Sequence, residues 1–306
     1  MRVAMSMRRH HRAYAVRAHL LEMSGRFEAA AEDYARAAAL STSIPEQRYL
    51  NRRARNAPGA RNAEEAWRRR EAPGDCAARQ RTEQAGMNVF IIGITGGVGG
   101  LLAEKLRSHG DAVHGLVRRE DQQAGLAAQG VDARVGDLAG MTAEELAAAF
   151  AGSDAIVYTA GSNGGSREVT TAIDGDGVAK AIEAARVAGV DRLALVSVLP
   201  ESWREHDLGE EVEYYFAVKK GADIALTRSD LDWLILRPSL LLDEPGSGTI
   251  SLGPAEAHGQ ISRDDVAETL AELLHEPGIG RQILELNAGS TPVREAVRAN
   301  VRGPLP

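Results

Sequence analysis

The stretch Met87-Asn-Val-Phe-Ile-Ile-Gly-Ile-Thr-Gly-Gly-Val-Gly-Gly-Leu-Leu-Ala-Glu-Lys-Leu106 decides the fold of this chain. Its apolar run ends at Gly93, and a segment with apolar residues at helical spacing follows. This pattern predicts a strand, a tight turn and a helix whose first turn is nearly free of side chains. Backbone N–H groups and the helix dipole at such a turn form an anion site suited to pyrophosphate.

The glycines of this turn have separate predicted tasks. Gly93 permits the tight turn, Gly96 lets phosphates approach the backbone, and Gly99 lets the helix pack on the strand. A glycine triplet is weak by itself, but here it stands in the strand–turn–helix context that dinucleotide binding demands. The predicted cofactor-binding residues of the loop are Gly93, Thr95, Gly96, Gly97, Val98 and Gly99.

Composition narrows the class of protein. The 306 residues contain no apolar run near the roughly 18 residues of a membrane span. The N-terminal residues include arginines but no apolar h-region, so we expect no secretory signal. The single cysteine, Cys76, excludes an internal disulfide and favours a reducing cytoplasm. The eight histidines show no metal-ligand spacing, so we expect no metal site. We expect a small-molecule substrate and no membrane partner, and the oligomeric state is left open.

Charge is divided unevenly along the chain. Residues 1–86 hold 17 arginines against 10 acidic residues, a net charge of +7, whereas the remainder holds 19 basic and 33 acidic residues, a net charge of −14. A basic arm can bind nucleic acid. Here the charges alternate with Glu and Ala at helical spacing, so we interpret them as a solvated helix face and expect no nucleic-acid partner.

The segment before Met87 has a different character. Residues 1–56 are predicted to be helical and tetratricopeptide-like, with a turn at Gly25 and a buried stripe of Phe27, Ala30, Tyr34, Ala37 and Leu40. Residues 11–56 resemble the C-terminal tail of extracytoplasmic-function sigma factors, without the domains that bind promoter and polymerase. Residues 57–86, rich in Arg, Ala, Pro and Gly, are predicted to be a disordered linker. A gene fusion and a mis-set start remain alternative origins of this segment.

Residues 87–306 alternate between strand-like and helical patterns. Strands are predicted at 88–93, 112–117, 131–135, 154–159, 192–198, 232–237 and 282–286. Helices are predicted at 97–109, 121–129, 142–151, 172–188, 211–229 and 262–275. This alternation predicts an α/β fold, a Rossmann-like doubly wound parallel sheet with helices on both faces. Its ligand should lie at the carboxyl ends of the strands.

Residues that follow the later strands extend the cofactor site. Arg118 and Arg119 end the second strand, where an NAD-preferring site places a carboxylate, and their guanidinium groups suit a 2′-phosphate. We therefore predict NADP in preference to NAD, although solvated surface arginines are the alternative interpretation. Asp137 can accept from the adenine amino group and Leu138 can cover its ring, while the small Ala160 and Gly161 leave room for ribose.

Seven short motifs follow one another along residues 87–306. They are Gly93-Ile-Thr-Gly-Gly-Val-Gly99, Val117-Arg118, Gly136-Asp-Leu138, Ala194-Leu-Val-Ser197, Tyr215-Phe-Ala-Val-Lys219, Leu231-Asp-Trp-Leu-Ile-Leu-Arg-Pro238 and Ile261-Ser-Arg-Asp-Asp-Val-Ala267. With these motifs in this order, residues 87–306 resemble an atypical short-chain dehydrogenase/reductase of the NmrA-like, NAD(P)-binding type.

The resemblance implies catalytic roles for three residues. It makes Tyr215 the general acid/base and Lys219 the cation that binds ribose and lowers the tyrosine pKa, while Ser197 hydrogen-bonds the substrate oxygen. Pro238 lies where family members turn beneath the nicotinamide. In the alternative interpretation, Tyr215 only packs its helix on the sheet, and the neighbouring Lys220 makes the lysine assignment ambiguous.

Three functions remain open at this point. The first is an oxidoreductase that transfers hydride from NADPH to a small carbonyl, quinone or flavin-like acceptor. The second is an epimerase-like enzyme acting on a nucleotide sugar, which would recycle its cofactor. The third is a non-catalytic redox sensor that binds dinucleotide. The spacing of Tyr215 and Lys219 after Ser197 favours the first.

Overall fold

The computed structural model divides into two compact units, Met1–Gln80 and Arg81–Pro306. It describes residues 18, 30, 33, 34, 36 and 37 of the first unit, and residues 86–199 and 208–301 of the second. The six described positions of the first unit are helical, and Ala30, Tyr34 and Ala37 of the predicted stripe are buried. The rest of the predicted helical segment over 1–56, and the predicted linker apart from Gly86, lie outside the described residues.

The second unit is built on a sheet of nine strands in the order β11-β8-β10-β6-β5-β4-β1-β2-β3. The strands are β1 (Asn88–Ile92), β2 (Ala112–Val117), β3 (Asp132–Val135), β4 (Ala155–Tyr158), β5 (Arg192–Val196), β6 (Asp232–Pro238), β8 (Thr249–Gly253), β10 (Gln282–Ala288) and β11 (Thr291–Pro292). Two further strands, β7 (Leu240–Leu242) and β9 (Gln260–Ser262), pair as a separate small sheet. The seven strands from β3 to β10 run parallel, while β8 and β11 join antiparallel.

Helices connect the strands. They are α1 (Gly97–Ser108), α2 (Glu120–Ala127), α3 (Ala143–Phe150), α4 (Arg167–Thr170), a π-helix (Thr171–Asp176), α5 (Gly177–Ala188), α6 (Gly209–Thr227), α7 (Arg263–His275) and α8 (Val293–Ala299). Among the described residues, no helix combines the length and apolar character that crossing a membrane requires.

Side-chain alternation along β1 shows why the sheet is covered on both faces. Val89 and Ile91 join a core with apolar residues of α1, α7 and α8, whereas Phe90 and Ile92 join a second core with residues of α3, α5 and α6. Successive residues of a strand point to opposite faces, so an uninterrupted apolar run buries both faces, as parallel sheets require. The predicted doubly wound fold is confirmed.

All seven predicted strands and all six predicted helices are present, with small shifts at their ends. The largest difference lies at residues 167–176, where α4 and the π-helix precede α5. A π-helix turn is wider than an α-helical turn and is often found at functional sites. The short strands β7, β8, β9 and β11 and the helix α8 were not predicted, because each is brief and only weakly periodic.

Candidate functional site

A cavity of about 1300 Å³ opens at the carboxyl ends of the parallel strands. It lies where β1 pairs with both β2 and β4, so that the chain winds away from β1 in two directions. This reversal of strand order is the place where doubly wound folds bind ligands. The volume is sufficient for a dinucleotide together with a small substrate.

The glycine loop forms one wall of this cavity. Gly93 has a φ of 90°, in the left-handed region that glycine adopts without strain. A Cβ atom at Gly93 would lie 2.5 Å from the backbone nitrogen of Ala160, so the loops after β1 and β4 approach each other closely. Residues 96–98 open α1 and line the cavity, which directs backbone N–H groups at the ligand position.

Gly99 contributes by packing. A Cβ atom there would lie 2.3 Å from the carbonyl oxygen of Gly93 and 2.7 Å from Oγ1 of Thr159. Gly99 is absent from the cavity lining among the described residues. This agrees with its predicted task of bringing the helix onto the sheet, and it places Gly99 outside direct contact with a ligand.

The two consecutive arginines have different surroundings. Arg118 lines the cavity, and within the described part of the chain no partner binds its guanidinium group. Arg119 is absent from that lining, and its Nε donates to Asp121 at 2.9 Å. Asp121 stands in the first turn of α2, where acidic residues favour the helix dipole. The geometry therefore leaves Arg118 as the arginine available to a ribose phosphate.

The expected adenine and ribose contacts also lie on the cavity wall. Asp137 is exposed and accepts a hydrogen bond from the Ala139 backbone at 3.2 Å, while Leu138 is buried. Ala160 and Gly161 follow β4, and both line the cavity. Small side chains at these two positions keep the space beside the glycine loop open.

Helix α6 presents Tyr215 and Lys219 to the cavity, one helical turn apart. The neighbouring Tyr214 is absent from the cavity lining described here. Its hydroxyl is 2.5 Å from Oγ1 of Thr171, and the Arg167 guanidinium lies 5.0 Å from its ring centroid. Lys219 is buried, whereas Lys220 is partly exposed and absent from the lining described here. The cavity is therefore lined by Tyr215 and not by Tyr214, and by Lys219 and not by Lys220, the pair that the sequence left ambiguous.

Asp174 is a residue of the site to which the sequence assigned no role. It belongs to the π-helix, its side chain is fully buried, and it lines the cavity. Its Oδ1 lies 3.3 Å from Lys219 Nζ, and its Oδ2 accepts from the Ser162 backbone at 2.8 Å. Lys219 Nζ also donates to the Val196 carbonyl at 3.1 Å. The lysine charge is therefore balanced inside the protein, which no local pattern indicates.

The pKa of Tyr215 is raised, whereas the resemblance implied that Lys219 lowers it. Burial raises the pKa of Tyr215 above its usual value near 10, and the negative charge of Asp174 raises this pKa further. Because Asp174 offsets Lys219, the tyrosine does not experience an isolated positive charge. Both effects favour the neutral phenol, whose O–H group can donate a hydrogen bond.

Ser197 follows β5 and lines the same cavity. Its side chain is buried, and Oγ has no hydrogen-bond partner within the described residues. An unpartnered buried hydroxyl carries a free-energy cost that a bound ligand relieves. Pro238, the last residue of β6, and the following Leu240 and Leu241 also line the cavity.

Arg263 is a cation beside the glycine loop. It belongs to the motif Ile261–Ala267, but the sequence predicted no role for it. It is the first residue of α7 and lines the cavity. A Cβ atom at Gly97 would lie 2.7 Å from its Cδ, and its Nη1 donates to Asp243 at 2.6 Å. Arg263 therefore stands beside the predicted pyrophosphate position, with its charge partly balanced.

These residues fit a dinucleotide. The glycine loop leaves a cradle that side chains would fill, Ser197 lines the cavity with a hydroxyl that has no partner among the described residues, and Arg118 and Arg263 line the same cavity. With the strand order, these features define an NAD(P)-binding Rossmann domain. The chain belongs to the NAD(P)H-binding family, whose model matches residues 93–277.

Known proteins similar to this chain carry epimerase and reductase names. The Bacillus subtilis protein named "Uncharacterized sugar epimerase YhfK" is 41% identical over 214 residues, covering 69% of this chain and 99% of that protein. A solved structure of a putative NAD-dependent epimerase/dehydratase from Bacillus halodurans is 32% identical, with a TM-score of 0.64, covering 70% of this chain and 100% of the other. ChuY from Escherichia coli O157:H7, described as an anaerobillin reductase, is 30% identical, with a TM-score of 0.57, covering 66% and 97%.

These comparisons confirm the NAD(P)-binding, oxidoreductase- and epimerase-like part of the predicted family. The family model matches no residue before Gly93. The resemblance of residues 11–56 to a sigma factor tail therefore stays a prediction.

Proposed function

We propose that the chain is an oxidoreductase that prefers NADP(H) and reduces a small carbonyl, quinone or flavin-like acceptor. The observation that carries the proposal is the phenol of Tyr215 on the wall of the cavity that also contains the glycine loop. NADPH supplies the hydride in such a reaction. The chain then has to bind the dinucleotide, hold the acceptor and deliver one proton.

Tyr215 serves as the proton donor in this proposal. As hydride reaches the acceptor carbon, the phenol O–H bond breaks and its proton passes to the acceptor oxygen. Solvent then returns a proton to the phenolate. Ser197 Oγ, buried without a partner in the described structure, donates a hydrogen bond to the same acceptor oxygen. Both groups stabilise the negative charge that develops there.

Lys219 and Asp174 form the supporting pair. Lys219 Nζ, which faces Asp174 and the Val196 carbonyl, has donor capacity left for the ribose hydroxyls. Asp174 keeps the lysine and the loop at Ser162 in position. Its charge favours the protonated form of the Tyr215 phenol.

The preference for NADP rests on Arg118. Its side chain lines the cavity after β2, where the ribose 2′ position is expected, and no acidic side chain of the described structure neutralises it. The 2′-phosphate would gain charge-assisted hydrogen bonds from this guanidinium. We assign no role in this function to residues 1–86.

The epimerase-like reaction is the second candidate, because the Bacillus subtilis relative carries that name. Such an enzyme removes hydride from its sugar and returns it, so the dinucleotide shows no net change. Purified protein would then carry dinucleotide that survives many turnovers. An oxidoreductase instead consumes one NADPH for each acceptor reduced, and the ratio of product to NADPH consumed separates the two.

The test compares Tyr215→Phe with Tyr214→Phe. A panel of quinones, flavins and small aldehydes is first assayed with NADPH to find an accepted substrate. Tyr215→Phe should lower kcat by about 10² to 10⁴, the usual effect of removing a positioned acid, with NADPH affinity within a few-fold. Tyr214→Phe, which loses only the contact with Thr171, should keep most of its activity. Full activity in Tyr215→Phe would show that Tyr215 is a packing residue.

A further inference from the structure

We propose that His109, Asp111 and His275 form a binding site for a divalent transition metal ion such as Zn²⁺, separate from the dinucleotide cavity. One ligand atom from each residue lies within 4.8 Å of the others. His109 follows α1, Asp111 precedes β2, and His275 ends α7. Since parallel strands begin at one edge of the sheet and end at the other, this site lies at the edge opposite the cavity.

The carboxylate of Asp111 is the first argument for a cation. Its side chain is 1% exposed. Oδ1 accepts from the Met87 backbone at 2.8 Å, but Oδ2 accepts no hydrogen bond from any described residue. Both oxygens face Nε2 of His275, at 3.1 and 3.0 Å. A buried carboxylate with an oxygen lacking a donor is costly unless a positive charge compensates it.

The hydrogen bond at the other nitrogen of His275 is the second argument. Nδ1 lies 2.8 Å from the Ala271 carbonyl oxygen, which can only accept, so Nδ1 carries the ring proton. In the neutral ring, Nε2 then directs its lone pair at the Asp111 carboxylate. Metal-ligating histidines typically donate their other ring N–H to a carbonyl or carboxylate in this way. The lone pair and the carboxylate oxygens then point at one common cation.

The position of His109 favours a metal site over a simple ion pair of His275 with Asp111. A doubly protonated His275 would balance the charge of Asp111 by itself, and a second imidazole would not be required. The His109 ring nevertheless stands 5.6 Å from that of His275, centroid to centroid. Two imidazole nitrogens and one carboxylate oxygen are a ligand set that Zn²⁺ accepts, with water as the fourth ligand. Because His109 is exposed, it can turn to reach the ion without repacking the core.

The neighbouring carboxylates favour Asp111 as the oxygen ligand. Glu268 and Glu272 also lie near His109, but Lys105 binds the first at 3.1 Å and Arg294 binds the second at 2.9 Å. Among the described residues, Asp111 has no comparable cation apart from His275. A bound ion would therefore join the end of α1, the start of β2 and the end of α7.

The experiment uses the full chain after EDTA treatment and dialysis. Zn²⁺ alone is titrated by calorimetry, bound zinc is counted by elemental analysis, and the melting temperature is measured with and without the metal. Binding at the folded site should raise the melting temperature. Residues 1–80 contain further histidines and Cys76, so the measured quantity is the difference in bound zinc between variants.

Two variants and one control decide the outcome. His109→Asn and His275→Gln should each lose one equivalent of zinc, or bind it about 100-fold more weakly, with loss of the zinc-dependent rise in melting temperature. His114→Gln is the control, because the one ion-pair partner of His114 among the described residues is the exposed Asp132 at 3.8 Å. His109→Asn removes an exposed side chain, so it should fold even if His275→Gln does not. Unchanged zinc content and melting in His109→Asn would overturn the proposal and leave an ion pair of His275 with Asp111.

Discussion

Replacing Asp174 by asparagine tests the buried ion pair beneath the site. The substitution keeps size and shape, and it leaves an amide oxygen that can still accept from Ser162. It removes the charge that faces Lys219 Nζ at 3.3 Å, where the two side chains are 0% and 4% exposed. A buried lysine without its counter-ion should cost about 3–5 kcal/mol of unfolding free energy. NADPH binding should restore part of the lost unfolding free energy, because the ribose hydroxyls of the cofactor would accept hydrogen bonds from Lys219.

The assay is thermal and urea denaturation of the full chain without cofactor. For a domain of this size, about 1 kcal/mol shifts the melting temperature by about 2–4 °C, so Asp174→Asn should lower it by about 6–20 °C. Asp176→Asn is the matched control, because Asp176 lies two residues further along the same π-helix and is exposed. Its substitution should change the melting temperature by little.

The double variant Asp174→Asn with Lys219→Met completes a thermodynamic cycle. Removing both charges leaves no uncompensated ion, so the double variant should be more stable than either single variant. Two results would refute the reasoning. One is a cost for Asp174→Asn as small as that for Asp176→Asn, and the other is additive losses in the double variant.

Two further predictions concern the arginines after β2 and the glycines of α1. Arg118→Ala should weaken NADPH binding by about 1.5–3 kcal/mol, roughly tenfold or more, with a smaller effect on NADH, whereas Arg119→Ala should leave both affinities nearly unchanged because that side chain is paired with Asp121. Fluorescence titration measures both, and equal weakening of the two cofactors by Arg118→Ala would contradict a phosphate contact. In denaturation experiments, Gly99→Ala should destabilise the fold, while Gly100→Ala, whose Cβ would stand 3.5 Å from its nearest neighbour, should stabilise it by up to about 1 kcal/mol. Similar melting temperatures for these two variants would refute the close approach at Gly99.

The sequence was sufficient for the architecture because its signals are local. Apolar runs of strand length alternate with helical periods, and parallel sheets buried on both faces require such runs. The glycine loop could be located for the same reason, since a strand, glycines and a helix follow one another without interruption. Short strands such as β8 were missed, because their brief, half-buried sequences carry little periodicity.

The site was predictable only where neighbours in sequence are neighbours in space. Tyr215 and Lys219 share a helix face, so their spacing was informative. Arg118 and Arg119 are identical residues, and only the backbone direction after β2 decides which one faces the cavity. A residue-type pattern has no means of distinguishing them.

What the amino-acid sequence determined by itself was the order of strands and helices, the glycine loop and the class of cofactor. Each depends on side chains a few residues apart. Tertiary structure decided which charged side chains lie next to each other. Asp174 meets Lys219 across 45 positions, and Asp111 meets His275 across 164. Electrostatic energies depend on distance and burial in space, so the pKa of Tyr215 and the histidine cluster follow from the folded chain and from no local pattern.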